Sequence, residues 1–182
     1  MTTETKIHQL VEFTLPASVV GISAGLIAAL LGGFAGQPLG WAAITGLGLA
    51  VPLVVLGIGY SALVGLGKAP AGVFAPAAAY WAIGFPLAML VHAITTEWAV
   101  TGTPGLPDQP LQFLAFRALL SMGFAIGFLW MHEQVGRHWW PRIMEHNVYA
   151  QHTVEQYVHL AESMEARKQA AARNRKKRKA HV

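Results

Sequence analysis

Cysteine is absent from this chain of 182 residues. Its absence excludes disulfides, thiolate metal sites and cysteine nucleophiles. Charge is also scarce, since only 12% of the residues are charged, whereas about a quarter of the residues of a soluble domain usually are. The shortage is concentrated between Phe13 and His132, where Lys68, Glu97, Asp108 and Arg117 are the only charged residues. A stretch this long and this uncharged excludes an ordinary soluble domain.

Four apolar runs fill this uncharged stretch. They cover approximately Phe13 to Phe34, Trp41 to Val64, Val73 to Thr95 and Leu111 to Trp130, and Gly- and Pro-rich loops separate them. A bilayer hydrocarbon core is about 30 Å thick, a distance that about 20 helical residues cross. Backbone polar groups must be satisfied internally in lipid, so each run is predicted to be a helix. The predicted fold class is all-α integral membrane, a four-transmembrane-helix bundle.

The distribution of lysine and arginine predicts the orientation of this bundle. Lys6 precedes the first run, Lys68 lies in the second loop, and Arg137 and Arg142 follow the fourth run. With four crossings, all of these residues lie on one side of the membrane. Because cytoplasmic segments carry the excess of Lys and Arg, both termini are expected in the cytoplasm. The expected location is the plasma (inner) membrane of a bacterium, as a multi-pass protein.

The chain is predicted to have four parts: a cytoplasmic N-terminal segment (1–12), the four-span bundle (13–132), an interfacial anchor with a cytoplasmic helix (133–172), and a basic tail (173–182). The helix is predicted to start at Pro141 and to reach about Arg173, because good helix formers dominate and no further Gly or Pro occurs. The tail is expected to be disordered. Its bases are expected to contact anionic lipid headgroups at the cytoplasmic face: Arg173, Arg175, Lys176, Lys177, Arg178 and Lys179.

One face of the predicted C-terminal helix carries a narrow apolar stripe with one polar member. Its residues recur every three or four positions, which keeps them in line on a helix and is typical of a surface for a partner helix. We call these residues the C-terminal seam: Ile143, Asn147, Ala150, Val154, Tyr157, Ala161 and Met164. The alternative is that this helix lies on the protein's own loops.

Small residues form stripes on two of the predicted spans. Gly21 and Gly25 lie on the first span, in a stripe that continues to Gly32, and Gly123 and Gly127 lie on the fourth. Small residues at a four-residue spacing let membrane helices approach closely. Both stripes are therefore predicted to be helix-packing positions.

Three polar residues lie near the predicted outer end of the bundle. His92 and Glu97 are close to the end of the third span, and Arg117 is the only charged residue inside a span. An intramembrane cation is costly and suggests a functional site, here an intramembrane polar cluster. The alternative is that the long Arg117 stem lets its guanidinium reach the outer headgroups. A bis-histidine haem site is not supported, because His92 is the only histidine in a span and lies near its end.

The C-terminal helix also places His152, Glu155, His159 and Glu162 on one face. These residue types bind metals in bundles, where several helices supply the ligands. One helix alone rarely closes such a site, so a solvated stripe is the favoured interpretation. We expect no metal, no cofactor and no nucleic-acid partner.

Three functional classes are compared. A non-catalytic accessory or assembly subunit explains the nearly uncharged spans, the small-residue stripes and the C-terminal seam together. In size and number of spans the chain resembles small accessory subunits of bacterial respiratory supercomplexes, which implies other membrane-protein subunits as partners. The second class is a small transporter or channel that uses Arg117 and His92. The third is an enzyme acting on lipid through His132, Glu133 and His138, whose spacing matches no nucleophile–base or metal pattern.

Overall fold

Six α-helices make up the described part of the chain. The computed structural model describes residues 3–180, with side chains described for residues 4–173. The helices are α1 (Thr3–Phe13), α2 (Leu15–Phe34), α3 (Leu39–Gly65), α4 (Phe74–Thr101), α5 (Pro110–Ile143) and α6 (Val148–Ala180). Residues 3–180 contain no β-strand.

Helices α2 to α5 are long and apolar enough to cross a membrane, which confirms the prediction of four spans in an all-helical fold. They contain 20, 27, 28 and 34 residues. Their outward surfaces carry large apolar side chains, and Leu26, Val55, Ile83 and Leu119 are each more than half exposed. Such surfaces are favourable in lipid and unfavourable in water. The structure is therefore that of a multi-pass membrane protein.

The four long helices pack as a closed ring in chain order. Helix α2 packs against α3, α3 against α4 and α4 against α5, and α5 returns to α2. The pairing of α2 with α3 is the most extensive. Glycine lets the backbones of α2 and α3 approach closely, since a Cβ atom added at Gly25 would lie 2.6 Å from the carbonyl oxygen of Gly46. Between the two helices Gly36 has a left-handed backbone with φ of 85°, a conformation that glycine adopts without strain.

Aromatic side chains fill the interior of the ring. Trp81 of α4 is fully buried, and its ring centroid lies 4.7 Å from that of Phe124 and 4.6 Å from that of Phe128, both on α5. Tyr60 of α3 meets Phe128 edge-on at 5.6 Å. These contacts join α3, α4 and α5 near the end of the ring where α1 and α6 pack on each other and on α3. We call it the α1–α6 end.

The structure corrects the predicted start of the C-terminal helix. Helix α5 continues through Pro141 to Ile143, and the chain turns only at residues 144–147. Pro141 cannot donate the usual backbone hydrogen bond to the carbonyl oxygen of Arg137, but it lies in the last turn of α5, which ends two residues later. The side chain of Asn147, not the ring of Pro141, provides the N-terminal cap of α6. The predicted anchor therefore belongs to α5.

Helix α6 extends further than predicted, to Ala180. The backbone of residues 173–180 is helical, whereas disorder was the expectation for residues 173–182. Lys and Arg are good helix formers, and each residue added to an existing helix gains one hydrogen bond. Residues 181–182 lie outside the described residues.

Candidate functional site

A row of four polar side chains joins three helices at the α1–α6 end. Ser61 Oγ on α3 lies 2.7 Å from His132 Nε2 on α5. His132 Nδ1 lies 3.6 Å from one carboxylate oxygen of Glu133. The hydroxyl of Tyr157 on α6 donates a hydrogen bond to the other oxygen. We call these four residues the polar row.

Burial keeps the tyrosine of the polar row protonated. Ser61 is 0% exposed and His132 is 1% exposed. Burial, together with the neighbouring Glu133 carboxylate, raises the pKa of Tyr157 well above its usual range. The Tyr157 hydroxyl therefore stays protonated at physiological pH and remains a donor to Glu133.

Aromatic rings enclose His132 and hold its imidazole in place. The imidazole stacks on Phe128, with centroids 5.4 Å apart and planes 19° apart. Trp140 meets the imidazole edge-on at 5.3 Å, and Tyr60 does so at 6.0 Å. Trp140 also stacks on Phe13 of α1 at 5.4 Å. One buried network therefore connects the polar row to α1.

The polar row has the order serine, imidazole, carboxylate that hydrolases use to activate a serine nucleophile. Such a serine must be accessible to a substrate and must have oxyanion donors beside it. Ser61 has no exposed surface and lies inside α3. His138 is exposed and does not belong to the polar row. Its Nδ1 lies 2.8 Å from the carbonyl oxygen of Gln134 on the same helix. The geometry favours a cross-link between helices over a catalytic centre.

Asn147 joins the first helix to the last. Its side-chain oxygen accepts hydrogen bonds from the backbone N–H groups of Tyr149 at 3.1 Å and Ala150 at 3.2 Å, and so caps α6. Its Nδ2 donates to the carbonyl oxygen of Gln9 at 2.7 Å and to a carboxylate oxygen of Glu12 at 3.0 Å. The hydrogen-bonding capacity of this buried amide is therefore used within the chain.

Two indoles at the end of α5 hold the last turn of α1. Trp139 Nε1 donates to the carbonyl oxygen of Glu12 at 3.0 Å, and Trp140 Nε1 donates to that of Phe13 at 3.2 Å. Carbonyl groups in the last turn of a helix lack partners inside the helix. The indoles supply those partners, which explains why α1 ends against α5.

Glu12 is the acidic residue where α1 meets Asn147 and the start of α6, a contact that we call the α1–α6 junction. Burial alone would raise the pKa of Glu12, but hydrogen bonds from Asn147 and His146 and the charge of His146 outweigh burial, so its pKa lies below the usual value. His146 Nε2 lies 3.0 Å from the carboxylate. The stability that this carboxylate contributes is therefore present above its usual pKa. It is lost as the pH falls through the lowered pKa.

A cavity of about 370 Å³ opens between α5 and α6, next to the polar row. Trp140, Val154 and Tyr157 belong to its walls, and Glu133 and Arg137 belong to its polar lining. Arg137 is exposed and forms no ion pair with another described residue.

The predicted outer cluster is not joined by hydrogen bonds. Within residues 4–173, no hydrogen bond or ion pair connects any two of His92, Glu97 and Arg117. The Arg117 guanidinium instead lies over the rings of Phe113 at 5.0 Å and Phe116 at 5.9 Å on its own helix. Arg117 Nε and His92 Nδ1 are buried atoms without a described partner, while Glu97 is exposed. The aromatic rings, not Glu97, hold this cation.

The small-residue stripe on α2 packs against the rest of the chain. A Cβ atom added at Gly21 would lie 2.7 Å from the backbone nitrogen of Val54. One added at Gly25 would lie 2.5 Å from the Cβ of Ala50. Gly32 is buried beside the turn after α2. All three positions are therefore filled by internal neighbours.

The small-residue stripe on α5 has no internal neighbour. Apart from the adjoining backbone of α5 itself and the neighbouring residues in sequence, no described atom lies within 4 Å of a Cβ atom added at Gly123 or at Gly127. Both glycines are exposed, as are Met122 and Ile126 beside them. This face of α5 therefore turns away from the bundle, towards lipid or a second protein.

The C-terminal seam divides into an occupied half and a free half. In order along the seam, Ile143, Asn147 and Ala150 are buried, Val154 and Tyr157 are partly buried, and Ala161 and Met164 are exposed. The first half contacts the protein itself, and Asn147 within it bonds to α1. A partner helix can therefore reach only the part from residue 158 onward, where residues 158–173 are all exposed.

The predicted stripe of acids and histidines on α6 is exposed and contains only local contacts. His159 Nδ1 lies 3.5 Å from a carboxylate oxygen of Glu162. His152 Nδ1 lies 3.3 Å from the Nε2 of Gln156. Among the residues described, no group of three or more His, Asp or Glu side chains could hold a metal ion. Arg173 is exposed. The side chains of the other predicted headgroup contacts lie outside the described residues: Arg175, Lys176, Lys177, Arg178 and Lys179.

Sequence reasoning missed the partners of His132 and Asn147. The missed residues are Ser61, Gln9 and Glu12. One signal was available, because Gln9 and Glu12 are three residues apart and so share a face of α1. A single polar residue in an apolar seam, such as Asn147, also requires a polar partner.

No protein-family model, curated protein or solved structure matches this chain.

Proposed function

We propose that this chain is a non-catalytic accessory or assembly subunit of a larger inner-membrane complex, with other membrane-protein subunits as its partners. The observation that carries the proposal is the open face of α5 at Gly123 and Gly127, where no described atom beyond the adjoining part of α5 lies within 4 Å of an added Cβ. This spacing of small residues lets a second membrane helix approach closely. A partner helix would pack there as α3 packs on α2.

A helix that contacted only lipid would gain nothing from glycine at these two positions. Each glycine in a helix interior destabilises it by about 1 kcal/mol relative to alanine. Lipid chains pack equally well against larger side chains, and none of the residues that the structure describes requires glycine at these two positions. A close helix–helix contact outside the chain would offset the cost.

The free half of α6 offers a second contact region. Helix α6 has 33 residues, or about 50 Å at 1.5 Å per residue. A helical segment without tertiary contacts is only marginally stable in water. A subunit of the same complex that packs on residues 158–173, including Ala161 and Met164, would stabilise it. In size and number of spans the chain resembles small accessory subunits of bacterial respiratory supercomplexes, so we propose an assembly of that kind.

The test is Gly123→Leu combined with Gly127→Leu in the tagged full-length protein. The variant is expected to insert and melt like the wild type, because both sites are open, but to lose its membrane partners. Purification in mild detergent followed by quantitative mass spectrometry measures the partners. Stoichiometric partners of the wild type that disappear from the variant are the expected result.

Two control variants make the result specific. Gly33→Leu with Gly40→Leu also fills open positions but leaves α5 unchanged, and it should keep the partners. Gly21→Leu with Gly25→Leu would clash with Val54 and Ala50 and should destabilise the chain itself. Partners that remain after Gly123→Leu with Gly127→Leu would contradict the proposal, as would a wild type that purifies only as a homo-oligomer.

A further inference from the structure

Two opposite charges face the cavity between α5 and α6 without neutralising each other. Glu133 and Arg137 are four residues apart on α5, a spacing at which such residues commonly form an ion pair. In the described structure no ion pair joins them. The Glu133 carboxylate is held instead by the Tyr157 hydroxyl and lies 3.6 Å from His132 Nδ1. Its orientation is therefore fixed, and the Arg137 guanidinium is left available.

The rest of the cavity is mainly apolar. Trp140, Pro141, Val154 and Val158 form its walls. Its volume of about 370 Å³ lies within the usual range for ligand pockets, about 300–1,000 Å³. Apolar walls beside one cation and one anion suit an amphiphilic ligand whose polar head carries both charges.

The cavity lies at the depth of lipid headgroups. The apolar part of α5 ends near Trp130, and Glu133 and Arg137 follow about 5 and 10 Å further along the helix. The headgroup layer occupies roughly 5–8 Å on each side of the hydrocarbon core. Side chains of a helix lean towards its N-terminus, so the long Arg137 side chain reaches back towards the membrane. Both charges can therefore meet one headgroup.

We propose that this cavity binds the headgroup of a zwitterionic phospholipid with a primary amine, the chemistry of phosphatidylethanolamine. The Arg137 guanidinium pairs with the phosphate, which its planar donors match. Glu133 accepts hydrogen bonds from the ammonium group, which lies beside the aromatic ring of Tyr157. The glycerol and the first acyl carbons contact Val154 and Val158. The bound lipid holds α6 against α5.

The test is native mass spectrometry of the full-length protein, titrated with palmitoyl-oleoyl phosphatidylethanolamine, phosphatidylcholine or phosphatidylglycerol. Phosphatidylethanolamine is expected to bind most tightly. The trimethylammonium of phosphatidylcholine cannot donate to Glu133, and phosphatidylglycerol has no cation to offer. A lost hydrogen bond to a charged group lowers affinity by roughly tenfold or more. Glu133→Gln, which keeps an acceptor for Tyr157, should abolish the preference. Arg137→Gln removes the group that pairs with the phosphate, which all three lipids share, and should weaken the binding of all three.

The matched control is Arg142→Gln with Glu145→Gln. It removes the same pair of charges from exposed positions just beyond the cavity and should leave all three affinities unchanged. Soluble glycerophosphoethanolamine should bind at least about tenfold more weakly than the lipid, because it lacks the acyl chains. Equal binding of phosphatidylglycerol or phosphatidylcholine would overturn the proposal. So would a preference that survives Glu133→Gln, or soluble headgroup binding as tight as that of the lipid.

Discussion

At the scale of the residue, Asn147 decides how α1 and α6 are joined. Asn147→Ala removes the cap of α6 and leaves the Gln9 carbonyl oxygen without this donor. We expect the free energy of unfolding to fall by about 2–4 kcal/mol, the sum of a lost cap and an unpaired buried acceptor. Reversible denaturation in detergent micelles, followed by circular dichroism, measures the change.

Asn147→Asp separates the two contributions. An aspartate still caps α6, but it cannot donate to Gln9, and it places a second carboxylate beside Glu12. This variant should become less stable as the pH rises above about 4, where both acids ionise. If it were as stable as the wild type at neutral pH, the hydrogen bonds from Asn147 to α1 would contribute nothing.

The same residue shows how far sequence patterns reach. Its position on a stripe of apolar residues is visible in the sequence, but Gln9 and Glu12 lie 138 and 135 residues earlier. Ser61, the partner of His132, is 71 residues away from it. Periodicity describes which side chains share a helix face, and it carries no information about distant partners. The sequence therefore signals that Asn147 needs a polar partner, but it does not identify that partner or the serine that pairs with His132.

At the scale of the element, the two halves of α6 should respond differently to change. Val154→Asp with Tyr157→Asp should destabilise the protein by about 3 kcal/mol or more even without a partner, because unpaired charges enter the partly buried, mainly apolar contact between α5 and α6. Tyr157 stacks on Trp140 at 6.0 Å and bonds to Glu133 there. Deleting residues 161–182 should leave the melting temperature in detergent unchanged. A deletion that lowered it as much as the double aspartate would show that the distal half packs on the bundle.

Element types were predictable here, and the ends of α4, α5 and α6 were not. The lipid environment makes every span a long apolar run, so hydropathy alone indicates four helices. Where a helix stops in water depends on tertiary contacts instead. Helix α5 passes Trp130 and Pro141 because the indoles of Trp139 and Trp140 hold α1. Helix α4 likewise continues to Thr101, beyond the predicted Thr95.

At the scale of the whole molecule, four crossings place the two termini on one side. The contact between α1 and α6 agrees with this arrangement. The Lys and Arg bias predicts that this side is the cytoplasm. Compartment-sensitive reporters fused at Thr103 and at the C-terminus should therefore report opposite compartments, with the C-terminus inside. The same compartment for both fusions would contradict the topology.

The junction between the first and last helices also has a consequence for the order of events during synthesis. Glu12 and Asn147 are 135 residues apart, and ribosomes add about 5–20 residues per second. Helix α1 therefore waits roughly 7–27 s before its hydrogen-bonding partner has even been translated. During that interval its carbonyl groups and the Glu12 carboxylate are open to chaperones and proteases. Only a chain that has been translated as far as α6 can form these hydrogen bonds. A chain truncated before α6 therefore keeps an exposed N-terminal helix that quality control can detect.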